Sequence, residues 1–134
     1  MTDPITIAAA AMLAPYLAKA GEAVAQKAGE GAWKAAEHLY QKIHDKFVKD
    51  QDDYATKALQ RLEEQPTNQV RQNALAEILT EKTQADPAFG QELKQIVQGA
   101  AQTQGMVQFL TSVHDNAQVG KIISIAQGET IHID

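Results

Sequence analysis

Fourteen consecutive uncharged residues, Ile5 to Ala18 (ITIAAAAMLAPYLA), constrain this chain more than any other stretch of it. A helix that is apolar all round has no side fit for water, so it must lie inside protein or inside lipid. At 14 residues the run is shorter than the roughly 20 needed to span a bilayer alone. Pro15 predicts a kink or a split within it. Asp3-Pro4 supplies a capping carboxylate followed by proline at the first helical position, so the helix is expected to start there. Asp3, with no Lys or Arg before the run, argues against a secretory leader.

Beyond the run the pattern stays helical. Val24, Ala28, Ala32, Ala36, Leu39, Ile43 and Phe47 recur at spacings of three and four, predicting a long helix from about Gly21 to Val48. Trp33 and Tyr40 widen its stripe, and Glu and Lys alternate on the other side. Gly29 and Gly31 each cost a helix roughly 1 kcal/mol relative to Ala, so a break or a close neighbour is expected there. Asp50-Gln51-Asp52-Asp53 reads as a break and cap before a short helix near 53–65, with Ala55, Ala58, Leu59 and Leu62 inward. Pro66-Thr67-Asn68 caps the next, whose stripe is Val70, Ala74, Leu75, Ile78 and Leu79. Asp86-Pro87 repeats the opening device, and Phe89, Leu93, Ile96 and Val97 follow. Short connections predict an up-and-down bundle of four or five helices over about 4–100.

Composition supports helices that pack closely. Alanine and glutamine supply 39 of the 134 residues, and Phe, Tyr and Trp only 7, so the core must come from aliphatic side chains. After Gly99 the character changes: residues 101–134 hold Lys121 against Asp115, Glu129 and Asp134, and are otherwise rich in Gln, Gly, Ile and Val. Ile131-His132-Ile133-Asp134 alternates strictly, and 119–125 is rich in β-branched residues. The expectation is therefore a division into a helical domain, 1–104, and a β-prone tail, 105–134, with two or three short strands. So few strands are not stable unaided and must dock on the bundle, stay mobile or pair with other copies.

Several chemistries are excluded by residue type and spacing. Without cysteine there is no disulfide framework, thiol nucleophile or thiolate metal site, which fits a cytoplasmic location. A net charge of −5 provides no basic footprint for nucleic acid. Gly29-Glu30-Gly31-Ala32-Trp33-Lys34 echoes a phosphate-cradling loop, but its flanks are helical on both sides and the required spacing is missing. His38 and His44 are six apart, not i, i+4, and His114 and His132 have no partner at fixed spacing. All four histidines are expected to be solvated. The Asp52-Asp53 and Glu63-Glu64 pairs read as a helix end and a helix face. No catalytic residue, cofactor or metal ligand is expected, and the chain reads as a non-enzyme.

Two features carry a positive signal. Gly21-xxx-Ala25-xxx-Gly29 and Ala28-xxx-Ala32-xxx-Ala36 are rows of small residues that let helix backbones approach closely, in a soluble bundle or at a lipid interface. The tail motif Ala117-Gln118-Val119-Gly120 begins a low-charge, proline-free, β-branched segment of the kind that stacks as cross-β. There Gln118 can ladder while Val119, Ile123 and Ile125 interdigitate; an ordinary hairpin docked on the bundle is the alternative.

The stretch DPITIAAAAMLAPYLAKAGEAVAQKAGEGAWKAAEHLYQKIHDKF resembles the start of the bacterial Bell domain, and NAQVGKIISIAQGETIHID resembles a RHIM-like bacterial amyloid signalling motif. Gln118, Val119 and Gly120 match the core of that motif, while Ala117 stands where a β-branched residue is usual. The resemblance implies a small HeLo-like helical bundle that attacks the inner face of the cell membrane in regulated cell death, as in anti-phage defence. It also implies a nucleotide-binding receptor that carries a matching motif and templates the tail. On this reading Ile5, Ile7, Met12, Leu13 and Leu17 form the membrane-entering face. Gln118, Val119, Gly120, Ile122, Ile123, Ile125, Ile131 and Ile133 drive self-assembly into a homo-oligomer or fibril. A soluble adaptor that oligomerises by strand pairing, without touching lipid, is the alternative.

Overall fold

The computed structural model describes residues 4–18, 31–103 and 105–126. Among them the fold is all-helical: α1 (Pro4–Ala18), α2 (Gly31–Lys49), α3 (Asp53–Glu64), α4 (Gln69–Ala85), α5 (Pro87–Ala101), α6 (Met106–Thr111) and α7 (Asn116–Ala126). Among the described residues, five helices occupy the region where four or five were expected. The small-residue row at 21–29 and the start of the predicted long helix lie outside the described residues; its described part runs over Gly31–Lys49.

Local chemistry sets the boundaries. The Asp52 carboxylate accepts from the Ala55 N–H at 3.0 Å to open α3, and Asn68 accepts from Arg71 at 3.1 Å to open α4. Asp86 ends α4 and opens α5, accepting from the Phe89 N–H at 3.2 Å with Pro87 in the first turn. Gly105, at φ 88°, turns the chain from α5 into α6, a left-handed backbone that a side chain would strain.

Helices α2 to α5 touch in a cycle, each packing on its chain neighbour and α2 returning to α5. Helix α1 packs against all six others. Its Ala8, Ala9, Met12, Leu13 and Ala14 are fully buried among Leu39, Ile43, Leu59, Leu75, Leu79, Leu93 and Phe109 of one continuous core. Burying a Leu or Met side chain stabilises by about 1.5–3 kcal/mol, so this core dominates the fold. A polar pair lies within it, the hydroxyls of Thr6 and Thr80 at 2.7 Å.

The strands expected from 106 onward are not found among the described residues: 106–111 and 116–126 are helical. Asp115 is the reason at the chain level, because its Oδ1 accepts from the Gln118 N–H at 2.8 Å and its carbonyl from Val119 at 3.0 Å. Packing supplies the rest. Val119, Ile122 and Ala126 fall on one helical face and are buried, so tertiary contact overrides the β preference of Val and Ile. The core also runs unbroken across the division expected at 104/105, since Met106, Phe109, Leu110, Val119 and Ile122 belong to it. Ile131 and Ile133 lie outside the described residues.

A charged network fastens the cycle of α2 to α5. Lys46 Nζ contacts Asp86 at 2.7 Å and Asp50 at 3.4 Å, and Lys82 Nζ contacts Asp50 at 2.9 Å and Asp52 at 2.8 Å. Each lysine lies in the last turn of its helix, and Asp52 and Asp86 at helix starts, so every one of these four charges also suits the local helix dipole. Hydrogen bonds from Lys82 hold the Asp50 and Asp52 carboxyls below their ordinary range, and Lys46 does the same to Asp86. Carboxyls depressed in the folded chain stabilise it above the unfolded value of 3.8, and that contribution is lost as pH falls through the lower folded value.

The network and the packing of α7 can each be tested. Between about pH 5 and pH 2 the melting temperature falls, and Lys82→Met, which removes the partner of two carboxylates, flattens that fall while lowering stability at neutral pH; an equally steep acid limb would contradict the network. Gly120 sits within α7 with open space where a Cβ would be, so Gly120→Ala stabilises the chain by up to about 1 kcal/mol in urea unfolding. Destabilisation by that change would contradict a helical 116–126.

Candidate functional site: the apolar helix and its cover

The sequence-predicted residues divide between α1 and α7, which pack on each other. On α1, Met12 and Leu13 are fully buried, Ile5 and Leu17 are half-buried against the core, and Ile7 is 38% exposed. Of the residues expected to enter a membrane, Met12 and Leu13 are thus enclosed by the fold, Ile5 and Leu17 partly so, and Ile7 is displayed on its surface. On α7, Val119 and Ile122 are buried, Ile123 and Ile125 are half-buried, and Gln118 and Gly120 face solvent. Of the residues expected to stack between copies, those from Gln118 to Ile125 are helical here.

Together α6 and α7 cover one side of α1. Phe109 and Leu110 of α6 and Val119 and Ile122 of α7 contribute its buried face. The seam is incomplete: a groove of about 150 Å³ lies between α7 and α4 and is floored by Ile7, Ala8 and Ala11 of α1. Its rim carries Gln69, Asn73, Gln118 and Lys121, with no carboxylate.

At the other edge, aromatic rings tie α1 to α2 and α6. Tyr16 packs on Trp33 at 4.7 Å and on Tyr40 at 5.6 Å, and Trp33 meets Phe109 edge-on at 6.2 Å. Tyr40 donates to Glu63 Oε1 at 2.6 Å, and burial together with that bond pushes its hydroxyl up, so it stays protonated. Trp33, the chain's single tryptophan, thus touches both the apolar helix and its cover.

His114 corrects the expectation of solvated histidines. It is 8% exposed, sits between α6 and α7, and its Nε2 lies 2.9 Å from the Ala11 carbonyl. A carbonyl oxygen only accepts, so this nitrogen carries the proton. His44 is half-buried and stacks on Tyr40 at 5.8 Å, while His38 is exposed. The signal for His114 lay in the next residue: Asp115 followed three positions on by Gln118 is a helix-start pattern, which places His114 at a helix junction.

Among the described residues no group of three or more His, Cys, Asp or Glu could hold a metal ion. Among them, too, no helix is long and apolar enough to cross a membrane. Comparison with family models, with characterised proteins and with solved structures finds no match.

Proposed function

We propose that the chain is a membrane-active effector in which α1 enters the bilayer surface once the α6–α7 cover is drawn off by assembly of the C-terminal region. One observation carries this reading: residues 116–126, which have the stacking composition, are the same residues that cover the uncharged helix. Stacking α7 with other copies and uncovering α1 are then one event. A helix that is apolar all round has no alternative solvated state, so once uncovered it seeks lipid or another copy. Clustering through the tail would multiply weak individual lipid contacts.

The resemblance to Bell-domain proteins extends the reading to regulated cell death in bacterial defence. The protein rests in the cytoplasm and acts at the inner face of the cell membrane. The trigger is a nucleotide-binding receptor whose own motif pairs with 117–125. Helix α7 is suited to such a change, because Val119, Ile122, Ile123 and Ile125 with Gly120 give it weak intrinsic helical preference. Its helical state rests on burial against α1 together with the local cap at Asp115.

The decisive test uses Ile7, which is exposed enough to change without opening the core. Seeded full-length chain releases dye from anionic vesicles, and Ile7→Asp lowers the release rate severalfold, because a carboxylate in the first turn of an otherwise uncharged helix opposes its entry into lipid. Its melting temperature stays near that of the parent. Equal release from both chains, or none from the seeded parent, would remove the membrane mechanism.

A further inference from the structure

We infer that His114 is the latch that holds the α6–α7 cover on α1, through the backbone carbonyl that Pro15 leaves without a helical donor. In an α-helix the N–H of residue 15 would bond the carbonyl of residue 11. Pro15 lies inside α1, has no N–H, and presses its ring on that carbonyl. The Ala11 oxygen is therefore an orphan in the middle of a buried helix, where an unsatisfied polar group is costly. The donor that reaches it comes from 103 residues away: His114 Nε2, at 2.9 Å.

The placement of the ring makes this more than a filled vacancy. The His114 N–H donates to the Leu110 carbonyl of α6 at 2.9 Å, and the next residue, Asp115, caps α7. One side chain at the joint of the two covering helices thus binds the backbone of the helix they cover. The remaining contacts of the cover are largely apolar and undirected, and the groove of about 150 Å³ beside His114 already leaves its seam with α4 open. A directional bond at that seam decides whether the cover stays seated. The proline creates the acceptor and the histidine closes it, so each residue matters only with the other. This deepens the proposed function and rests on it for what happens at a bilayer, while the latch itself is testable in solution.

The chain has no cysteine, so Ala8→Cys, in the groove floor facing α7, makes a single thiol whose modification rate reports uncovering of α1. Leu62→Cys on α3, buried away from the cover, reports global opening in a parallel chain. In the Ala8→Cys chain His114→Phe, which keeps the ring and removes the donor, speeds modification about tenfold, whereas His114→Gln keeps a donor and the parental rate. Adding Pro15→Ala to His114→Phe returns the rate only part of the way, because alanine at position 15 supplies the missing N–H and relieves the orphan carbonyl but restores no bond between the cover and α1. The thiol at position 62 is unchanged throughout. A parental rate in His114→Phe, equal acceleration whether position 15 holds proline or alanine, or equal acceleration at position 62 would each overturn the latch. If His114→Phe does not fold, imidazole NMR of the parent decides: a slowly exchanging Nε2–H supports the bond and a freely exchanging one refutes it. Seeded dye release from phosphatidylglycerol vesicles separates the two layers. Faster labelling at position 8 without dye release from any variant keeps the latch and removes the membrane reading; dye release from the parent with unaltered labelling in His114→Phe does the reverse.

Discussion

The fold depends on hiding one helix. Residues 5–18 carry no charge, and α1 has no polar face, so every direction around it must be closed by something. Helices α2 to α5 close much of it and α6 and α7 most of the rest, leaving Ile7 and the groove beside α4 open. Six of its 15 side chains are alanine, with Met12 and Leu13 as the larger fully buried fillers, which lets the six other described helices approach one axis. A bulkier central helix would hold them apart. The aromatic rings divide: Phe47, Phe89 and Phe109 are buried in the core, while Tyr16, Trp33 and Tyr40 are half-buried beside it, with Trp33 meeting Phe109.

Much of the helical frame was legible in the sequence because its signals are local. Asp52, Asn68 and Asp86 cap helices where their side-chain chemistry predicts, and Leu59, Leu62, Leu93 and Val97 turn inward as their spacing requires. Misreadings arose where long-range packing decides. Val70 and Ala74 belong to the predicted stripe of α4, yet Val70 is 75% exposed, while Gln72 is buried with its amide donating to the Pro66 carbonyl at 2.9 Å. A polar side chain satisfied by a nearby backbone group is invisible to a count of apolar positions.

The candidate site was half legible for the same reason. The uncharged run identifies α1, and the β-branched segment identifies 117–125, but neither reveals that the two touch. Composition read the second segment as strand, whereas a cap at Asp115 and a burial site on α1 make it helix. Such a segment, with local preference and tertiary context in opposition, marks where a sequence departs from consistency across levels, and those places are commonly functional. His114 shows the limit most clearly. Its role exists only because a proline near the other end of the chain removed a hydrogen, and no pattern along the sequence couples the two.

The network of Lys46, Lys82, Asp50, Asp52 and Asp86 has one further consequence. All five residues belong to α2 to α5 and the turns between them, and none to α1, α6 or α7. The frame thus carries a charged network besides its apolar core, whereas the cover is held by apolar contact and the His114–Ala11 hydrogen bond. Ions screen the first, whereas strongly hydrated salts such as sulfate strengthen the second. Ionic strength and ion type therefore act on the two halves of the molecule in opposite directions, so the salinity around the protein itself sets which part yields first.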